Sequence, residues 1–214
     1  MWPRVFPFAL YMGFIGVSSL IPEGSPLVIW LYPVKIVAVG GLLIYFWSQY
    51  QELERPVFGG LQQEMWAIAV GILVYLLWVR MDWGWAIQGE VTGYDPFRAG
   101  EGVAHFLAVI RIFGAVAVVP IMEELFWRSF LIRWVINQDF EKVTLGTFTI
   151  GSFSATVILF GLEHHLWFAG MMAGVAYNVL LYKTGRLWPC VISHATTNLI
   201  LGIHVLTTEE WQWW

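Results

Sequence analysis

Residues 103–135 read VAHFLAVIRIFGAVAVVPIMEELFWRSFLIRWV, and this stretch decides the fold class. It is mostly apolar and longer than the ~20 residues with which a helix crosses ~30 Å of hydrocarbon. Pro120 interrupts helical hydrogen bonding near its middle, so we predict one long helix that is kinked there. Two shorter helices meeting at Pro120 are the alternative, and they would reverse the orientation of every later segment.

The composition of the whole chain indicates a membrane protein. Of its 214 residues, 58% are hydrophobic and 12% are charged, whereas a soluble domain has about 25% charged residues. A soluble fold of this length could not hide so much apolar surface from water. The 14 Trp and 8 Tyr residues agree, because their rings favour the headgroup level of a bilayer.

Other classes of protein are not indicated. The sequence has no basic stripe or basic run, so we expect no nucleic acid among its partners. Cys190 is the single cysteine, so neither an intrachain disulfide nor a cysteine metal cluster can form.

The remaining apolar runs complete the predicted bundle, and they cover residues 5–20, 28–46, 65–79, 152–165, 167–182 and 187–206. We predict an all-α, polytopic integral membrane bundle of about seven transmembrane helices, or eight if residues 103–135 form two. Residues 5–20 follow Arg4 as a signal peptide would, but no small-residue cleavage site follows them, so we interpret the run as a retained helix. The chain is then a single membrane domain, 1–214, with N-terminal helices in residues 1–102 and a core in residues 103–206.

The basic residues predict the orientation. With a cytoplasmic N-terminus and seven spans, the inner loops would hold Arg4, Arg55, Arg133, Lys142, Lys183 and Arg186, and the outer loops Arg80 and Arg98. This distribution agrees with the positive-inside rule. Lys35 and Arg111 fall in or beside spans, where we expect Lys35 to snorkel or to pair with a carboxylate, and Arg111 to snorkel.

The segment Glu123-Glu124-Leu-Phe-Trp-Arg128 places charge inside an apolar helix, which indicates function. Glu124 and Arg128 are four residues apart, so they can pair on one helical face. Glu123 lies about 100° around the helix from Glu124, without a cation of its own. A neighbouring cation keeps a carboxylate charged, whereas burial without a partner favours its protonated form. Glu123, the carboxylate without a cation, is therefore the better candidate for a general base.

Two further motifs have the same spacing of four residues. Phe160-Gly-Leu-Glu-His164 presents a ring and an imidazole on one face, and His194-Ala-Thr-Thr-Asn198 presents an imidazole and a carboxamide. A carboxylate base, two histidines and an amide donor are the components of a hydrolytic site.

In this order the three motifs resemble the signature of the CPBP intramembrane proteases, the family of the type II CAAX prenyl endopeptidase. That signature is E-E-x-x-x-R, then F-x-x-x-H, then H-x-x-x-N or D, and the resemblance extends over residues 111–202. It implies that Glu123 activates water with the help of His164, and that Glu124 and Arg128 assist or have a structural role. It implies that His194 and Asn198 stabilise the oxyanion.

The resemblance also implies a glutamate peptidase that requires no cofactor. The sequence has no H-E-x-x-H zinc motif, although Glu163-His164-His165 adds residues that could bind a metal such as zinc. The expected substrate is a membrane-associated or lipidated protein or peptide. Oligomeric state is not indicated.

Two N-terminal segments, Tyr32-Pro-Val-Lys35 and Gln51-Glu-Leu-Glu-Arg-Pro56, resemble a bacterial subgroup of CAAX-protease-related proteins associated with exosortase sorting systems. This resemblance implies a bacterial inner (cytoplasmic) membrane. A membrane scaffold or a maturation or immunity factor that keeps the fold without activity is the alternative to an enzyme. A transporter is a third interpretation, but the chain lacks the paired, broken helices of many transporters.

Overall fold

The computed structural model describes residues 1–22, 25–89 and 93–214. Within them the chain forms an all-helical membrane bundle. Its seven long helices are α1 (Trp2–Ser18), α2 (Pro26–Tyr45), α3 (Leu61–Trp78), α4 (Glu101–Ile136), α5 (Ile150–Leu162), α6 (Trp167–Thr184) and α7 (Trp188–Thr208). Short 3₁₀ turns lie in several of the connections.

Helix α4 is continuous across Pro120, so the prediction of one long helix is confirmed. The wider π-helical turn Gly114–Val118 lies just before the proline, and a second, Leu125–Leu131, follows it. A π turn moves the hydrogen-bond partner of each carbonyl by one residue, so the carbonyl that proline leaves without a donor is that of Ala115 instead of Val116. The later helices therefore keep the orientation that one long helix gives them.

Four of the helices, α2, α3, α4 and α7, are long and apolar enough to cross a membrane by themselves. Helix α5 is apolar but has only 13 residues, which is ~20 Å of helix against ~30 Å of hydrocarbon. It ends at Leu162, so the predicted helix 152–165 is too long at its C-terminus. The reason is the polar run Glu163-His164-His165, which turns away from the helical path.

Glycines allow the closest helix contacts around the core. A Cβ atom on Gly71 of α3 would collide with the Ser193 carbonyl and the Thr196 side chain of α7. In the same way, a Cβ atom on Gly161 of α5 would collide with the Trp167 carbonyl and Met171 of α6. Small residues bring membrane helices together because lipid tails supply no hydrophobic force between helices. These contacts hold α3 close to α7 and α5 close to α6.

A polar cluster ties several helix ends together at one end of the bundle. Arg4 donates to both carboxylate oxygens of Glu52, at 2.7 and 2.6 Å, and Ser129 also contacts Glu52. Arg133 donates to the Ser129 hydroxyl at 2.8 Å. Arg186 contacts the Pro56 carbonyl of the same connection. Arg4, Arg133 and Arg186, three of the six basic residues predicted for the inner side, therefore lie at one end of the bundle.

Candidate active site

Glu124 and Arg128 form the predicted pair on α4. Arg128 Nη1 lies 3.3 Å from Glu124 Oε1, and Arg128 Nε lies 3.2 Å from Oε2. Both side chains are buried, at 0% and 1% exposure. The same Oε1 lies 3.0 Å from His194 Nδ1 on α7. Glu124 thus joins the first motif to the third and fixes the imidazole of His194.

Glu123 has a different environment, although it is the next residue. Its side chain is buried at 4% exposure, and Oε2 has no hydrogen-bond partner among the described residues. Because an unpaired buried oxygen is unfavourable, a water molecule or a substrate would be stabilised beside it. The sequence predicted this contrast between the paired Glu124 and the unpaired Glu123.

Aromatic rings surround the charged pair, and one of them, Tyr177, lies outside the three motifs. The Arg128 guanidinium lies over Phe160, 4.2 Å from the ring centroid, and over Tyr177 at 5.2 Å. The Tyr177 ring stacks on His194 at 5.2 Å, and its hydroxyl is 2.9 Å from Thr197 Oγ1. A cation over a ring face is attracted to it, most strongly where water is excluded. Tyr177 belongs to no motif, so only the fold reveals it.

His164 lies in the turn after α5, beside the site. Its Nδ1 is 2.7 Å from the Phe160 carbonyl oxygen. A carbonyl can only accept, so Nδ1 carries the proton, and Nε2 of the neutral ring is left as an acceptor. Gln88 donates through Nε2 to the carbonyls of Leu162 and His164, each at 2.8 Å. These bonds satisfy backbone groups that the short helix α5 leaves without partners.

Asn198 links α7 to the π turn of α4. Its Nδ2 donates to the Ala115 carbonyl oxygen at 2.7 Å. In a π turn that carbonyl would bond to the N–H five residues later, which is the position of Pro120, and proline has no N–H. Asn198 therefore satisfies a carbonyl that the proline leaves without a donor. One of its two amide hydrogens remains for another acceptor.

A cavity of about 160 Å³ brings four of the six predicted site residues together, since Glu123, His164, His194 and Asn198 all line it. Glu124 and Arg128 lie behind the wall and hold His194 in place. The cavity extends along α4 from Glu123 through Val119 and Ala115 to Arg111. All three motifs thus meet at one site.

Lys35 and Arg111 have environments that differ from those predicted, and Glu163 contacts an aromatic residue. Lys35 contacts aromatic rings, with Nζ 4.0 Å from the Tyr11 centroid and 4.9 Å from that of Tyr32, and no carboxylate of the described residues pairs with it. Arg111 lies at the cavity wall instead of snorkelling. Glu163 accepts a hydrogen bond from Trp127 Nε1 at 3.0 Å.

The side chains around the cavity differ from the ligand set of a metal ion. Across the described ranges, no three His, Cys, Asp or Glu side chains are grouped as a metal site would require. Glu124, the one carboxylate hydrogen-bonded to a site histidine, is already paired with Arg128. The residues therefore do not fit a protein-held zinc ion of three or four ligands.

Comparison with known proteins gives a family for the part of the chain that holds the motifs. Residues 105–200 match the family model of type II CAAX prenyl endopeptidase Rce1-like proteins. No curated protein and no solved structure matches the chain. The exosortase-associated subgroup is not confirmed by this match. The matched residues include all three motifs, and over this part the chain is similar to type II CAAX prenyl endopeptidase Rce1-like proteins.

Proposed function

We propose that the protein is an intramembrane endopeptidase that hydrolyses a peptide bond with water activated by Glu123. The observation that carries the proposal is the Glu123 carboxylate, whose buried Oε2 has no hydrogen-bond partner among the described residues and which shares a cavity with His164, His194 and Asn198. A membrane scaffold would gain nothing from an unsatisfied carboxylate at this position, because such a group destabilises the fold.

In the proposed reaction, water is held between Glu123 and the scissile carbonyl carbon. Glu123 takes one proton as the water oxygen bonds to that carbon, and the carbonyl oxygen becomes an oxyanion. When the intermediate collapses, the C–N bond breaks and the leaving nitrogen receives the proton that Glu123 took. The products are a new carboxyl group and a new amine, with Glu123 restored.

The other three side chains have distinct roles in this proposal. His164 presents its Nε2 acceptor to the cavity, where it can align the attacking water. His194 donates a hydrogen bond through Nδ1 to Glu124, and in this proposal its Nε2 donates to the oxyanion when the ring carries a proton on both nitrogens. Asn198 offers its second amide hydrogen. Donors fixed in advance act most strongly where water is scarce.

The substrate in this proposal is a protein or peptide that reaches the site from the membrane, through a lipid attachment or a transmembrane anchor. The position of the cavity among apolar helices supports this class of substrate. The proposed location is a bacterial inner membrane with the N-terminus in the cytoplasm. The cluster of Arg4, Arg133 and Arg186 at one end supports that orientation by the positive-inside rule.

No metal ion takes part in the proposed reaction. The test is cleavage of a mixed library of internally quenched peptides by the purified chain in detergent micelles, before and after dialysis against a strong chelator. We expect cleavage that survives dialysis. Loss of cleavage on dialysis and its return with zinc would contradict the metal-free reaction. A well-folded chain that cleaves neither the library nor the proteins of its native membranes would support a scaffold.

A further inference from the structure

Arg111 is a cation at the end of the cavity away from Glu123, and the proposed chemistry does not use it. Its guanidinium carbon lies 4.3 Å from the Tyr32 ring centroid, 5.4 Å from that of Tyr94 and 5.7 Å from that of Trp214. Its Nε is buried without a hydrogen-bond partner, and no carboxylate of the described part of the chain pairs with it. Rings attract a cation, but a ring face supplies no lone pair to accept a hydrogen bond from the buried Nε–H.

A second cation increases the positive charge near this end of the cavity. Lys35 lies between the rings of Tyr11 and Tyr32, both of which line the cavity. The Tyr32 ring therefore separates two cations, Lys35 and Arg111. Two like charges near each other at low dielectric repel, and an anion between or beside them would relieve that repulsion. The cavity thus has a carboxylate at one end and, at the other, two cations that pair with no carboxylate of the described residues.

We infer that Arg111 is a binding subsite for a carboxylate group of the peptide substrate, an inference that rests on the proposed function. A carboxylate can accept two parallel hydrogen bonds from a guanidinium. The aromatic rings around Arg111 cannot accept such a pair of bonds. Arg111 and Glu123 are twelve residues apart on α4, which is about 18 Å along the helix. Extended peptide rises about 3.3 Å per residue, so about five residues separate the scissile bond from the bound carboxylate.

The test measures binding in the Glu123→Gln background, so that it does not depend on hydrolysis. The probes are dansyl pentapeptides of Ala and Leu with a free C-terminal acid, with a C-terminal amide, or with that amide and a terminal Asp. Energy transfer from tryptophan to dansyl reports binding, because Trp213 and Trp214 line the cavity. We expect the acid to bind about 10- to 100-fold more tightly than the amide. If only the free acid binds more tightly than the amide, the subsite recognises a C-terminal carboxylate. If the Asp probe also binds more tightly than the amide, the subsite accepts any carboxylate.

Variants connect the preference to Arg111. Arg111→Gln should abolish it, Arg111→Lys should retain part of it, and the matched control Arg98→Gln, at an exposed arginine outside the cavity, should leave it unchanged. Equal affinity for acid and amide in the parent chain would overturn the inference, as would a preference that survives in an Arg111→Gln protein with an unchanged melting temperature. Displacement of the acid probe by phosphatidylglycerol but not by a short peptide acid would also overturn it, because the site would then be a lipid site.

Discussion

Asn198 on α7 donates to the carbonyl of Ala115 on α4 at 2.7 Å, at the one place where Pro120 leaves a carbonyl of the π turn without its partner. The motif residue therefore has a structural task in addition to any part in catalysis. It holds the two helices that carry Glu123 and His194 in a fixed relation.

The first prediction is that Asn198→Ala destabilises the protein, because the Ala115 carbonyl is left without a donor. An unsatisfied buried group costs about 1–3 kcal/mol. Thermal unfolding in detergent measures the change, and Leu199→Ala on the neighbouring, exposed position of α7 is the control. Asn198→Asp should be at least as destabilising, since a carboxylate cannot donate to a carbonyl. If Asn198→Ala unfolds at the same temperature as the control, the hydrogen bond to the Ala115 carbonyl does not stabilise the fold.

The second prediction concerns the buried pair of Glu124 and Arg128. Arg128→Gln leaves the Glu124 charge without its strongest partner, and breaking a buried pair in this way costs about 3–5 kcal/mol. In the double variant Glu124→Gln with Arg128→Gln no net charge is buried, so its loss of stability should be clearly smaller than the sum of the two single losses. The free energies of unfolding of all four proteins measure this. Additive losses would mean that the two side chains do not interact.

The third prediction is a pH dependence of stability that comes from Glu52. Burial alone raises the pKa of this carboxyl, but the hydrogen bonds and charge of Arg4, with the bond from Ser129, outweigh burial and hold the pKa below its ordinary value of 4.5. A group with a lowered pKa stabilises the fold above its unfolded pKa, and the stabilisation is lost as the pH falls through the folded pKa.

The wild-type chain should therefore lose stability more steeply below about pH 4.5 than Glu52→Gln does. Melting temperature measured from pH 7 to pH 3 tests this. Glu54→Gln, at an exposed position in the same connection, should follow the wild type. Identical slopes for wild type and Glu52→Gln would show that the ion pair with Arg4 does not contribute to folding.

The fourth prediction uses the contact between α3 and α7. Gly71→Ala puts a Cβ atom against the Ser193 carbonyl, a backbone atom that cannot move aside, so α7 must shift along with His194. We expect hydrolysis to fall by roughly tenfold or more, because small misplacements of catalytic groups are expensive. Gly41→Ala is the control, since a Cβ atom there meets nothing within 4 Å. Normal activity of Gly71→Ala would mean that the close approach does not position His194.

The comparison of sequence and structure shows what local patterns can predict. The pair of Glu124 and Arg128 depends on a spacing of four residues, and the site histidines were identified by the same spacing and the family resemblance. The helices were visible as apolar runs. The contacts of Arg111 were not predictable, because its cage comes from Tyr32, Tyr94 and Trp214, which are far apart in the chain.

The same limit applies to the polar ends of the bundle and to the end of α5. Arg4 and Glu52 are separated by 48 residues, so no helical period relates them. The apolar pattern continues up to Glu163, and only the tertiary bonds from Gln88 show where α5 stops and how its last carbonyls are satisfied. The division of the chain into N-terminal helices (residues 1–102) and a core that carries the motifs (residues 103–206) stays a prediction.

The central claim is that Glu123 is the general base, and Glu123→Gln tests it most directly, because the change keeps the size of the side chain and removes the base. The measurement is the rate at which purified wild type and Glu123→Gln cleave the quenched peptide library in micelles, with melting temperature as the check on folding. We predict a folded variant whose rate is lower by about 10²–10⁴-fold, the usual contribution of a general base. A Glu123→Gln protein that cleaves the library at the wild-type rate would contradict the account.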